Sequence, residues 1–275
     1  MVKLKNFIIE ALDIGKEIDG HPIFQNISFK CVEQSATAIS GGNGTGKSTL
    51  LKTIAGIYEP TKGKIIMNKQ KIGYVLDQFP ENIRFKLMEY LKLVASFYGI
   101  SKRDIHSDLF QYIHLFGLEP FLDTPIKQCS KGTKQKLGIL QAILAKPDIL
   151  LLDEPLSGLD NESQQNLLDL LEKLKKQITI IFTSHEDYMV EKLADQIIYV
   201  ESGEISFNKK ISKAKKLIKV DFSDKEIFEE LDLREVHFEG KTASVTVDSS
   251  ISDQILLELL NRKCSVLEVR EKRKL

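Results

Sequence analysis

The chain has 275 residues, 42% of them hydrophobic, which is enough for one large domain and a small one. Its 39 basic residues balance its 39 acidic residues, so no nucleic acid or anionic membrane partner is expected. The three cysteines form no CxxC pair, the amino terminus does not resemble a signal peptide, and no apolar run reaches the roughly 20 residues of a membrane span.

The first predicted elements are strands. Residues 2–11 and 23–29 alternate apolar and polar side chains, which predicts two strands of an antiparallel sheet. Residues 35–40 predict a third strand, which runs into a glycine-rich segment, and residues 50–56 continue that segment as a helix. The order of strand, glycine-rich loop and helix is the context of a phosphate-binding loop.

The glycine-rich segment predicts a site for a nucleoside triphosphate. Glycine lets backbone N–H groups approach phosphate oxygens where a Cβ would block them. Lys47 is predicted to contact the β- and γ-phosphates, and Ser48 to offer its hydroxyl to Mg²⁺. The predicted binding residues are Gly41, Gly42, Asn43, Gly44, Thr45, Gly46, Lys47, Ser48 and Thr49.

An acidic pair later in the chain complements this loop. Residues 149–152 are consecutively apolar, which predicts a strand buried on both faces of a parallel sheet. Asp153 follows at the carboxyl end of that strand, where a carboxylate can hold Mg²⁺ or one of its waters. Glu154 is expected to point to the opposite side, as a base for an attacking water. An acidic turn after a strand would look the same, but the phosphate loop favours the functional interpretation.

The rest of the large domain alternates helices and strands. Apolar runs predict strands at residues 64–67, 72–76 and 178–182. Apolar residues at helical spacing predict helices at residues 85–98, 105–116, 134–145 and 161–175. This order predicts an α/β fold with a P-loop NTPase parallel sheet, an antiparallel β subdomain and an inserted α-helical subdomain at about residues 80–135.

A second, smaller domain is predicted beyond this point. Strand-like and helix-like segments alternate on a short scale, at residues 217–222, 235–238, 243–247, 251–260 and 265–269. A lysine-rich stretch at residues 209–216 is predicted to connect the two domains. We therefore expect an ATPase domain at residues 1–207 and a small α+β accessory domain at residues 208–275.

Three further motifs make the resemblance specific. Residues 129–137 resemble the signature sequence of ATP-binding cassette (ABC) proteins, and residues 157–160 resemble their D-loop. His185 follows an apolar strand, as their switch histidine does. The motifs have the order and spacing of the family over residues 1–205. The chain is identified as an ABC subunit, similar to those of bacterial exporters of the bacitracin-resistance and multidrug kind.

The resemblance implies a sandwich of two cassette subunits around two ATP molecules. Ser130 and the N–H of Gly132 would bind the γ-phosphate of an ATP held by the other subunit. Glu154 would activate the water, His185 would stabilise γ-phosphate charge, and Asp160 would couple the two sites. The implied partners are a second ABC subunit, identical or different, and a separate integral membrane permease. The chain would then lie in the cytoplasm, on the inner face of the membrane.

Two motifs depart from the family pattern. The signature usually continues Ser-Gly-Gly-Gln, and Lys131 and Thr133 replace two of these residues. The glutamine expected between the sheet and the helical insertion is replaced by Asp77, with Gln78 next. Either residue could reach Mg²⁺, and we rank Asp77 slightly ahead.

Base recognition and function leave alternatives open. No Tyr or Trp lies near residues 13–22, where the family places an aromatic residue under adenine, so Ile14 or Ile18 is expected to supply apolar contact. The leading function is the ATPase of a transporter, with a docking groove around residues 85–98. The alternative is a soluble ABC ATPase that acts as a switch, as in iron–sulfur cluster assembly.

Overall fold

The computed structural model describes residues 6–68, 70–99, 109–201, 205–207, 215–222, 227–228, 231, 233, 236–248 and 252–271. The chain divides into two units, Met1–Asn208 and Lys209–Leu275. The predicted connector at residues 209–216 lies outside the described residues except for its last two, which begin a strand.

An antiparallel sheet begins the first unit. It contains β1 (Phe7–Ile18), β2 (His21–Val32) and β4 (Lys62–Met67) in the order β2-β1-β4. The β1–β2 turn is Asp19-Gly20, with φ of 51° and 76°, the left-handed pair that a two-residue hairpin requires. One face of this sheet packs on the main core. The sheet confirms the predicted antiparallel subdomain.

The central sheet is parallel, as predicted, except for an antiparallel strand at one edge. Its order is β5-β6-β7-β3-β8-β9, and β9 pairs antiparallel to β8. The strands are β3 (Ala36–Ser40), β5 (Ile72–Val75), β6 (Ile149–Leu152), β7 (Thr179–Thr183), β8 (Gln196–Tyr199) and β9 (Ile205–Phe207). All side chains of β6 are fully buried, which explains its unbroken apolar run.

Helices cover the sheet and form an insertion. They are α1 (Lys47–Ile54), α2 (Leu87–Phe97), α3 (Phe110–Leu115), α4 (Lys131–Leu144), α5 (Asn161–Leu174) and α6 (Asp187–Leu193). The insertion contains α2 and α3 around buried Leu87, Leu91 and Ile113. The first residues of the helix predicted at 105–116 lie outside the described residues, and the described helix α3 begins at Phe110. Among the helices that the structure describes, none has the length and apolarity to cross a bilayer.

The second unit is α+β, as predicted. It contains β10 (Lys215–Asp221), β11 (Val236–Glu239), β12 (Thr242–Asp248), α7 (Ser252–Asn261) and β13 (Ser265–Glu271). The strands are antiparallel in the order β11-β12-β10-β13, which is the order of the ferredoxin-like split βαβ motif. Its own core includes Ile218, Val220, Val245 and Leu259.

Candidate functional site

The phosphate loop joins β3 to α1 and depends on its glycines. Gly44 and Gly46 have φ of 78° and 96°, and Gly46 precedes α1 without a side-chain cap. A Cβ on Gly46 would lie 2.7 Å from Ile23 Cγ2, and one on Gly41 would lie 2.6 Å from Thr45 Oγ1. Within the described residues, no side chain caps the start of α1, so its first backbone N–H groups are available to an anion.

Lys47 lies across this loop. Its Nζ donates hydrogen bonds to the carbonyl oxygens of Gly41 and Gly42, both at 2.9 Å, and the residue is buried. Thr45 Oγ1 also donates to Gly42 O at 2.9 Å, whereas Asn43 is exposed. Neutral carbonyls are weaker acceptors than phosphate oxygens. The ammonium is therefore held where an incoming phosphate can take over its hydrogen bonds.

Ser48, Asp153 and Thr183 form a hydrogen-bonded cluster beside the loop. Ser48 Oγ donates to Asp153 Oδ1 at 2.9 Å, and Thr183 Oγ1 donates to the same oxygen at 2.8 Å. Asp153 is buried at the carboxyl end of β6. A hydroxyl and a carboxylate are hard oxygen ligands, so this pair fits the predicted Mg²⁺. Sequence reasoning missed Thr183, whose only signal was its place at the end of β7.

Glu154 adopts an unusual backbone conformation. Its φ is +47°, in a turn after β6 has ended, so strand alternation does not orient its side chain as the sequence suggested. Its N–H donates to Thr183 Oγ1 at 2.9 Å. Thr183 Oγ1 therefore contacts both acidic residues, because it accepts from the Glu154 N–H and donates to Asp153.

The Glu154 carboxylate contacts His185. Oε2 accepts a hydrogen bond from the His185 N–H at 3.1 Å, and Oε1 lies 3.3 Å from His185 Nε2. Oε1 is buried, and no group in the described part of the chain hydrogen-bonds to it. Burial raises the pKa of Glu154, while the nearby charges of His185 and Lys47 oppose that rise. A half-buried carboxylate with one unused oxygen can accept a proton from water.

Asp77 and Gln78 follow β5 at the edge of this cluster. The Asp153 N–H donates to Val75 O at 2.9 Å, so the end of β5 is joined to the acidic strand. Asp77 is half-buried and Gln78 is exposed. Within the described residues, neither side chain hydrogen-bonds to Ser48 or Asp153. Their role towards Mg²⁺ therefore stays a prediction.

Ser130, Gly132 and Asp160 form a separate group. Ser130 Oγ accepts from Thr133 N at 3.1 Å and caps α4, which begins at Lys131 rather than at residue 134 as predicted. Asp160 Oδ1 accepts from the first turn of α5 at 2.8 Å. In the part of the chain that the structure describes, no hydrogen bond links this group to the phosphate loop.

Glu201 contacts the phosphate loop, although no sequence motif indicated it. The Gly42 N–H donates to Glu201 Oε1 at 2.8 Å, and a Cβ on Gly42 would lie 3.1 Å from that oxygen. Glu201 lies just after β8, whose parallel neighbour β3 leads into the loop. An exposed carboxylate therefore adds negative charge beside the predicted phosphate site.

Of the two isoleucines expected to contact the adenine base, one was a wrong prediction. Ile14 is fully buried in the main core and cannot reach a base. Ile18, at the end of β1, is 37% exposed. Of the two isoleucines, only Ile18 remains available for apolar contact with adenine.

The glycine-rich loop at the start of a helix carries Lys47 and Ser48, and the Asp153–Glu154 pair lies at the end of a parallel strand. Together these features define a P-loop nucleoside triphosphatase. The family model for ABC transporters matches residues 24–157. The uncharacterized ABC transporter ATP-binding protein YxlF of Bacillus subtilis is 34% identical over 202 residues, covering 71% of this chain and 68% of YxlF. The lantibiotic transport ATP-binding protein SrtF of Streptococcus pyogenes is 30% identical over 231 residues, covering 81% of this chain and 99% of SrtF.

Solved structures share the fold. The ATP-binding subunit of an ABC transporter matches with a TM-score of 0.68 and 25% identity, over 82% of this chain and 94% of that one. The dimeric cassette MJ0796, in a post-hydrolysis state with ADP and Pi, matches with a TM-score of 0.65 and 22% identity, over 72% of this chain and 98% of that one.

The chain belongs to the ABC transporter family, as an ATP-binding and ATP-hydrolysing subunit. The comparisons give no support to the alternative role in iron–sulfur cluster assembly.

Proposed function

We propose that this subunit forms an ATP-bound dimer and drives a separate membrane-spanning permease. The observation that carries the proposal is the division of the site into two groups. Lys47, Ser48, Asp153 and Glu154 surround one phosphate loop, whereas Ser130 caps its own helix and, among the described residues, has no hydrogen bond to that loop. The positive helix end at Ser130 and Gly132 suits an anion that arrives from another subunit.

The first group would hold the nucleotide. Residues 41–49 would present backbone N–H groups to the phosphates, and Lys47 would exchange its two carbonyl partners for phosphate oxygens. Ser48 and Asp153 would hold Mg²⁺, with Asp77 or Gln78 as a further oxygen ligand. When bound, Mg²⁺ supplies positive charge that offsets the negative charge of the phosphates.

Glu154 would act as the base for the attacking water. The His185 N–H holds Oε2, and Oε1, which has no hydrogen-bond partner among the described residues but lies 3.3 Å from His185 Nε2, would accept the water proton. The pKa of Glu154, raised by burial, favours proton acceptance at the operating pH. His185 would then face the γ-phosphate charge from the same side, and the products would be ADP and phosphate.

The helical insertion supports a membrane partner. Phe85, Phe97 and Tyr98 are 47%, 79% and 49% exposed, an unusual amount of apolar surface for one short region. A permease of the inner membrane would cover it, and the subunit would then act from the cytoplasmic side. Similarity to SrtF, a lantibiotic transport protein by name, is compatible with an exporter. The unit after residue 207 would be an accessory domain with no part in the nucleotide site.

The Glu154→Gln variant tests the dimer. Removing the base should slow hydrolysis by roughly 10²- to 10⁴-fold while both phosphate-binding groups stay in place, so ATP should trap a dimer. Sizing chromatography with ATP and Mg²⁺ measures this. The control is Glu154→Gln combined with Lys47→Ala, which should stay monomeric.

A monomer in the single variant, at high protein concentration and with saturating ATP, would contradict self-dimerisation. Mixing with a candidate second cassette subunit then separates a heterodimer from a failed mechanism.

A further inference from the structure

The signature loop and the D-loop of one subunit contact each other through two glycines. A Cβ added to Gly132 would lie 2.4 Å from the carbonyl oxygen of Gly158. A Cβ added to Gly158, whose φ is +75°, would lie 3.2 Å from Lys131 Cγ. The backbones of the two loops therefore meet at Gly132, where a Cβ does not fit, and Gly158 has a left-handed conformation that favours glycine.

Lys131 closes this contact. Its Nζ donates a hydrogen bond to Ser157 Oγ at 2.8 Å, and its aliphatic carbons lie on Gly158. The family pattern has a glycine at position 131, which could make neither contact. The link is therefore a feature of this chain rather than of the signature motif itself.

Two further contacts join α4 to the segment between β6 and α5. Lys136 Nζ lies 3.5 Å from Asp160 Oδ2, and the Lys136 side chain is only 15% exposed. Gln135 Nε2 donates to Pro155 O at 3.5 Å in a buried position. Side chains from the first two turns of α4 thus reach the segment between β6 and α5 at both of its ends, while Lys131 contacts its middle.

We propose that Lys131 is a positioning residue that holds the D-loop to the signature loop, so that both reach the partner's ATP as one unit. This rests on the dimer proposed above. If Ser157 moved independently, the closed dimer would have to order two loops separately, at a greater entropic cost. Lys131 acts through Ser157 and not on the phosphates.

A double-mutant cycle on the full chain tests this. Lys131→Met keeps the aliphatic stem and removes the donor, and Ser157→Ala removes the acceptor. Each should lower kcat for ATP by about fivefold, and the double variant should lose no more than either single one, because one hydrogen bond is removed in all three. Lys131→Arg, which still donates, should retain most of the rate.

ATP binding separates positioning from general damage. The affinity of the monomer for ATP should not change in Lys131→Met, because Lys131 contacts no residue of its own phosphate loop among those described. Lys127→Met is the matched control, since it removes a positive charge from an exposed side chain four residues earlier. It should behave as wild type in both assays.

The contrary outcomes are distinct. Losses that multiply in the double variant, or a wild-type rate in Ser157→Ala, would mean that Lys131 acts on phosphate directly or not at all. If Glu154→Gln alone forms no ATP-dependent dimer, the proposed function fails. If the Glu154→Gln dimer forms equally well when Lys131→Met is added, and Lys131→Met alone has the kcat of the wild type, only the proposed link between Lys131 and Ser157 fails.

Discussion

The two halves of the nucleotide site differ in how much of each is already assembled within one subunit. The half around Lys47 and Asp153 is buried and cross-linked across three strands: β6 and β7 through Asp153 and Thr183, and β3 through the loop. The half around Ser130 and Asp160 is exposed, and its polar groups cap their own helices. A nucleotide can therefore bind to the first half of a monomer, whereas the second half requires a partner.

This difference predicts that ATP binding to the monomer and closure of the dimer depend on different residues. Changes to Lys47 or to other phosphate-binding groups of the buried half should lower the monomer's affinity for ATP and its turnover together, whereas a change to Glu154 should lower turnover alone. Changes in the exposed half should affect dimerisation and turnover but not monomer affinity. The following variants test the half around the phosphate loop, in decreasing order of expected effect.

Lys47→Ala should have the largest effect. It removes a buried cation that the loop holds in place through two carbonyl oxygens, so both phosphate binding and turnover should fall, with kcat at least about 10²-fold lower. Calorimetric titration with ATP and a phosphate-release assay measure the two losses. Lys52→Ala, at the other end of α1, is the control and should stay near wild type. Turnover of Lys47→Ala at the wild-type rate would contradict the assignment of the loop.

Some of this architecture could be predicted from the sequence. The bounds of β6 were predicted correctly because four apolar residues buried on both faces have no polar alternation to blur their ends. The start of α4 was predicted three residues late, because Lys131, Gly132 and Thr133 are poor helix signals on their own. In the structure, the hydrogen bonds from Thr133 N to Ser130 Oγ and from Lys134 N to Ser130 O show that these residues form the first turn.

Contacts within the site were less predictable. Thr183 and Glu201 reach the site only because β7 and β8 both lie beside β3, an order that local sequence does not show. Ile14 was a wrong candidate because irregular pairing between β1 and β2 turns it into the core. The left-handed turn at Glu154 is likewise unexpected for a residue that is not glycine.

Thr183→Val should have an intermediate effect. The two side chains have the same shape, but valine leaves the Glu154 N–H without its acceptor and removes one donor from Asp153. We expect kcat to fall by roughly tenfold and the melting temperature to fall by a few degrees, from about 1–3 kcal/mol of lost hydrogen bonding.

Thr179→Val is the matched control for Thr183→Val. Thr179 is buried at the other end of the same strand, and its hydroxyl also accepts from a backbone N–H, that of Gln34, at 3.0 Å. This variant should lose similar stability and keep its turnover. Equal kcat values for the two variants would show that Thr183 serves the fold and not the position of Glu154.

Glu201→Gln should have the smallest effect, and it should be a gain. The amide oxygen can still accept from the Gly42 N–H, so the loop keeps its contact, while the negative charge that repels ATP is removed. Because Glu201 is exposed, solvent and salt screen that charge, and we expect ATP affinity to rise only about twofold at low ionic strength. The gain should disappear at about 1 M salt, where the Debye length is roughly 3 Å. Glu33→Gln, before the opposite end of β3, makes the same charge change and should leave affinity unaltered. A loss of affinity in Glu201→Gln that persists at high salt would instead mean that the charged form of this hydrogen bond holds the loop in its binding conformation.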